Sequence, residues 1–145
     1  MAKPIPEGFT AVTPYLVVKD VKALMEFLTR AFGATVHCKL EMPGGNIGHA
    51  DMVVYGSHIM MGQAGDHHPP VPAMLYLYVE DADAVHAQAL AAGGTLDSPV
   101  KDQFYGDRGG SVKDSNGNIW WISTHKEDLT AEQIGERIAA GQRGK

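Results

Sequence analysis

His49 and Asp51 stand two residues apart in the stretch 48–55, and period-2 alternation along a strand sends both to one face. A histidine beside a carboxylate can act as base and orienter in a proton transfer, or bind the polar end of a ligand. The same pair can also be a rim hydrogen bond that supports a loop. A second group is aromatic and sulfur-bearing. Tyr15, Met60, Met74, Tyr76, Tyr78 and Trp121 alternate so as to share one concave face with Val17 and Ile119. Such a surface is an apolar slot with polar handles, suited to an organic ligand, and it would serve equally well as core packing. Trp120 points to the opposite side. Tyr105, Asp107 and Arg108 sit in the Gly-containing stretch 102–108, read as a loop able to close the mouth of that slot. Arg108 is then free to grip an anion, or to pair with Asp107 or Asp102.

The remaining titratable residues have plainer expectations. His37 on a strand and His86 on a helix are expected at the surface or half-buried, and His67 and His68 in a solvated, Pro-rich connector. His125 follows the last strand and reads as a hydrogen-bonded end residue. Cys38 is the only cysteine, which excludes an internal disulfide and a cysteine-based zinc cluster, and it reads as a half-buried strand residue.

The elements that position these residues occur twice. Residues 15–34 (YLVVKDVKALMEFLTRAFGA) align without a gap on 76–95 (YLYVEDADAVHAQALAAGGT), an offset of 61 that places Tyr15 on Tyr76, Val18 on Val79, Asp20 on Asp81 and Gly33 on Gly94. One module has been copied, and function is expected between the copies. In the first copy, 12–18 is a strand. Asp20 caps a helix with an apolar stripe at Val21, Leu24, Met25, Phe27, Leu28 and Phe32, and Gly33 stops it. Strands follow at 35–42, 48–55 and 58–61, the last two around a Gly56-Ser57 turn that pairs Met60 with Val53. The second copy repeats the order with strand 74–79, an Ala-rich helix 81–92, a weak strand 95–100, and a hairpin of 109–113 and 118–124 around Asp114-Ser-Asn-Gly117. The fold class is α+β: two tandem βαβββ modules, about 10–62 and 73–126, curving as a mixed sheet around a central cup with helices outside. Thr130 caps a final helix at about 130–140, residues 141–145 are expected to fray, and 1–145 reads as a single domain.

Composition bounds the function. At 145 residues with 44% hydrophobic and 20% charged residues, the chain is long enough for a real core, and no apolar run approaches the ~18 residues of a membrane span. A net charge of -5 without a Lys/Arg cluster argues against nucleic acid. Neither membrane nor nucleic acid is expected as a partner; a small organic molecule or a second copy of the chain is. The absence of a signal-like N-terminus makes the cytoplasm the expected location.

The paired "VxD" junctions, the "DSNGN" before the last strand, "DQFYGDR" and "THKEDL" resemble the vicinal oxygen chelate superfamily of glyoxalases, bleomycin-resistance proteins and dioxygenases, and within it the PhnB-like branch. The resemblance implies that metal-dependent members draw four ligands from positions held here by Thr13, Met60, Met74 and Trp121. A hydroxyl, two thioethers and an indole supply neither imidazole nitrogen nor carboxylate oxygen, so no metal cofactor is expected. The expected function is a metal-free small-molecule-binding protein, sequestering an antibiotic or aromatic metabolite. The alternatives are a lyase, isomerase or dioxygenase whose divalent metal is held by relocated ligands such as His49, and a dimerisation domain without a ligand. The resemblance also implies a homodimer.

Overall fold

The computed structural model describes residues 1–141. The expected fraying of 142–145 lies outside the described residues. In chain order the first module runs β1 (Tyr15–Val18), α1 (Val21–Phe32), β2 (Thr35–Glu41), β3 (Ile47–Val54) and β4 (Ser57–Gln63). The second runs β5 (Met74–Tyr78), α2 (Ala82–Ala91), β6 (Thr95–Asp102), β7 (Asp107–Lys113) and β8 (Ile119–His125), and α3 (Ala131–Ala139) follows. Each module is a four-stranded mixed sheet, ordered β1-β4-β3-β2 and β5-β8-β7-β6. In each, the first strand pairs parallel to the fourth and the other pairs are antiparallel. The duplication holds at the level of register: Tyr15 opposes Met60 and Tyr76 opposes Trp121, both residues displaced by 61.

Local chemistry explains the element ends. The Asp20 carboxylate accepts from the Ala23 N–H at 3.0 Å, and Asp81 from that of Ala84 at 3.1 Å, satisfying donors that a helix N-terminus leaves open. Gly33 takes φ 66°, the left-handed turn that ends α1. β1 is shorter than its apolar pattern. Pro14 has no N–H to give a ladder, and Thr10 to Thr13 form a local turn in which Thr13 Oγ1 donates to the Thr10 carbonyl at 3.2 Å. The β3–β4 turn is Tyr55-Gly56, with φ 47° and 80°, rather than Gly56-Ser57. Met60 therefore opposes Asp51, not Val53, and because the correction is two residues every side chain keeps its expected face.

The core lies on the helix side of both sheets. Val21, Leu24, Met25, Phe27, Leu28, Ala31 and Phe32 of α1 pack with Leu16, Val18, Met52 and Met61, and the same cluster continues into Val112, Trp120 and Ile122. The helices meet each other, Phe32 lies 5.5 Å from Trp120 between ring centres, and Gln88 donates to the Arg30 carbonyl at 2.9 Å. The modules are thus joined through their helices. His86 corrects the surface expectation. It is buried on α2, its Nε2 directed at the carbonyls of Ser98 (3.1 Å) and Ser111 (3.2 Å), so it carries that proton and pins α2 to β6 and β7. Cys38 is exposed on β2 rather than half-buried.

Asp114 explains the "DSNGN" turn. Buried at its start, it accepts from the N–H groups of Asn116 (2.8 Å) and Asn118 (3.0 Å), the Asn118 amide (3.1 Å) and the Trp120 indole (2.8 Å). Asn118 in turn accepts from the Ala73 N–H at 3.0 Å, tying the hairpin to the connector.

Candidate functional site

The face of each sheet opposite its helix carries the residues of interest. On the second sheet, register places Met74 with Ile119 and Lys113, Tyr76 with Trp121 and Ser111, Tyr78 with Ser123 and Gly109, and Asp107 with His125. Met74, Tyr76 and Tyr78 are 59%, 41% and 61% exposed, so this aromatic face is open rather than core. The Tyr76 ring lies 5.1 Å from that of Tyr78 and 6.3 Å from that of Trp121, nearly parallel to the latter. Trp120, one residue on, is fully buried on the helix side.

Asp107 organises this face. It opens β7 instead of lying in a loop, which now spans only 103–106, and it is buried. Its Oδ2 accepts from the phenols of Tyr76 (2.5 Å) and Tyr78 (3.2 Å), and its Oδ1 faces His125 Nδ1 at 2.9 Å. His125 Nε2 faces Asp128 at 2.8 Å. Hydrogen bonds to Asp107 and then Asp128 raise the His125 pKa above the ordinary histidine value. Desolvation by burial, then the Asp107 hydrogen bond, pushes the Tyr76 phenol far up, and burial followed by the Asp107 charge raises Tyr78. Both remain neutral donors. The Tyr105 hydroxyl stands 3.4 Å from that of Tyr76, and with Trp121, Gln103, Pro99, Ser98, Asp97 and Lys101 it lines a cleft of about 440 Å³. A second cleft, of about 520 Å³, runs between the modules from Pro14, Tyr55 and Ile59 to Met74, Tyr76 and Tyr78.

Arg108 is not at this site. As the next residue of β7 it turns to the helix side, where Nε and Nη2 hold the two oxygens of Asp83 at 2.8 and 3.0 Å and Nη1 holds Asp102 at 3.2 Å. Hydrogen bonding to Arg108 lowers the Asp83 pKa, and the arginine clamps the start of α2 to the end of β6.

On the first sheet, His49, Asp51 and Met60 do share the open face with Tyr15. His49 and Asp51 do not pair with each other. His49 Nδ1 lies 3.2 Å from the Tyr15 hydroxyl, whose ring folds over Gly62, where any Cβ would collide with it. Asp51 is buried and meets His58 Nδ1 at 3.0 Å, while Phe9 of the N-terminal arm stacks on His58 with ring centres 3.8 Å apart. His58 is the residue that sequence reasoning missed, and Asp107, read there as a loop residue and a partner for Arg108, was given the wrong place. Both become visible once each hairpin is counted outward from its turn: Asp51 and His58 fall diagonal across Tyr55-Gly56, and Asp107 falls opposite His125.

The four positions to which the resemblance assigns a metal do not suit one. Thr13 Oγ1 is engaged with the Thr10 carbonyl, and Met60, Met74 and Trp121 offer no hard or borderline donor. Among the described residues no group of three His, Cys, Asp or Glu side chains is placed to hold an ion, and none of their helices is long and apolar enough to cross a membrane.

Fold and site together define a duplicated βαβββ protein with an open aromatic face and a buried carboxylate beneath it. The chain belongs to the Glyoxalase/Bleomycin resistance protein/Dioxygenase superfamily, whose family model matches residues 9–122. Uncharacterized proteins of Mycobacterium bovis and Mycobacterium tuberculosis are each 30% identical to it over 135 residues, covering 86% of this chain and 89% and 79% of theirs. Among solved structures it resembles TioX from Micromonospora sp. ML1, with a TM-score of 0.70 at 24% identity over 80% of this chain and 98% of that one. It also resembles a PhnB protein from Bacillus cereus, with a TM-score of 0.65 at 19% identity over 79% and 99%.

Proposed function

We propose that this protein binds a small, planar or partly apolar organic molecule on the aromatic face of its second module, without a metal, in the manner of the bleomycin-binding members of its superfamily. One observation carries the reading: Tyr76, Tyr78, Tyr105 and Trp121 cluster on an open face around Asp107. Large rings left in water at one place, with polar groups already organised among them, are the usual makings of a ligand site. The ligand is an antibiotic or an aromatic metabolite, and a second copy of the chain is proposed to complete the cup.

A thermal-shift screen across metabolites and antibiotics tests the reading. A ligand should raise the melting temperature by mass action. Trp121→Ala should abolish that rise with little loss of basal stability, whereas Trp120→Ala should unfold the protein. The reading fails if both substitutions merely unfold it. Chelator should leave the melting temperature unchanged; a fall of several degrees would show an essential ion.

A second reading has one observation in its favour, the Tyr15 and His49 pair on the open face of the first sheet. It is a lyase, isomerase or dioxygenase using a relocated metal near His49, and stoichiometric zinc, nickel, manganese or iron in the purified protein would favour it. A dimerisation domain without a ligand is the outcome if nothing binds.

A further inference from the structure

We propose that the aromatic face of the second module selects organic cations, with a quaternary or protonated amine held over the rings of Tyr76, Tyr78 and Trp121 and Asp107 as the buried counter-charge. This rests on the small-molecule reading above and names the class of ligand.

Three features point this way. The first is the engagement of the phenols: both O–H groups donate to Asp107 Oδ2, so the face offers an incoming molecule the exposed rings rather than free hydroxyl protons. The face of an aromatic ring is its negative pole, and donation to a carboxylate drives further electron density into the ring. The second is Trp121, the ring type that attracts cations most strongly, standing parallel to Tyr76 in the adjacent strand. The third is the local charge. Asp107 and Asp128 flank the one imidazole of His125, so this group is net negative whether or not the ring is protonated. Lys101 and Asp97 both line the neighbouring cleft and are of opposite sign, so together they leave this balance unchanged. The cleft of about 440 Å³ beside Tyr105 and Trp121 would take the apolar body of the same molecule.

The test uses two molecules of one shape, (4-hydroxyphenyl)trimethylammonium and neutral 4-tert-butylphenol, titrated into the full chain while the two indole N–H resonances are followed by NMR. The cation should bind about tenfold tighter than its neutral twin. It should shift Trp121 and leave buried Trp120 still, and Asp107→Asn should bring the two affinities within twofold. Tyr76→Phe and Tyr78→Phe, which keep the rings and remove the hydrogen bonds, should each narrow the preference and provide the comparison if Asp107→Asn does not fold. Equal binding of the two probes at Trp121 would overturn the cation inference while leaving the small-molecule reading intact. A preference unchanged in these variants would also overturn it. If neither probe shifts Trp121, this inference and the ligand site at that face fall together.

Discussion

Two buried or half-buried carboxylates carry most of the side-chain chemistry of the second module, and they answer to different tests. Asp114 accepts four donors, one of them the core indole of Trp120. Removing the carboxylate leaves those donors buried without partners, so Asp114→Ala should cost about 3 kcal/mol in urea denaturation. A loss below about 1 kcal/mol would show that the turn holds without it. Asp107 instead supports His125, whose raised pKa fixes the sign of a pH effect. A group whose folded pKa lies above its unfolded value contributes stability that is fully present below the unfolded value, about 6.5, and lost as pH rises through the folded one. The difference in melting temperature between the native chain and His125→Gln should therefore be largest near pH 6 and shrink upward from about 6.5. A difference that grows with pH in that range would refute the assignment. Direct NMR titration of His125 should give a midpoint above that of an ordinary histidine.

Helix α3 buries none of its residues, yet it holds the loop that presents Tyr105. Arg137 makes a two-pronged ion pair with Glu127 (3.0 and 2.8 Å) and donates to the Phe104 carbonyl at 3.1 Å, while the Gly106 carbonyl accepts from the N–H groups of Lys126 and Glu127. Arg137→Ala should speed amide exchange at 103–106 and 126–127 and leave the interior of β7 and β8 unchanged. Arg137→Lys, which keeps the charge and loses the fork, should restore it only in part. Equal exchange in all three proteins would detach α3 from the site. At this scale the sequence was legible wherever one element's pattern was enough: the apolar stripe and Asp cap of α1, the alternation that put Tyr76, Tyr78 and Trp121 on one face and Trp120 on the other. It misled where a neighbour decides. Pro14 shortens β1, β7 begins two residues before its glycines, and Arg108 finds Asp83 only because α2 seats against that end of the sheet. His49 and Asp51 were placed on the right face, yet each found a partner on another segment, Tyr15 and His58, which spacing within one strand does not report.

Joining the modules through their helices leaves both decorated faces in water. Tyr15 and Leu40 on the first sheet and Met74, Tyr76 and Tyr78 on the second are all between 41% and 61% exposed. Apolar surface gathered in this way usually has a partner, and a face of phenols and thioethers is suited to burial against another apolar sheet. The duplication supplies one: the first module of a second copy offers a related curvature, and a two-fold arrangement would give two equivalent cups, each closed by both chains. We expect a homodimer, sedimenting at twice the 15.6 kDa of the chain at micromolar concentration, with a melting temperature that rises with protein concentration. Met74→Asp places a charge in the centre of that contact without touching the core, because Met74 is 59% exposed in the single chain. It should yield a folded monomer that no longer binds ligand. A native chain that sediments only as a monomer would reject the shared cup, and a Met74→Asp dimer with intact binding would place the contact on another surface.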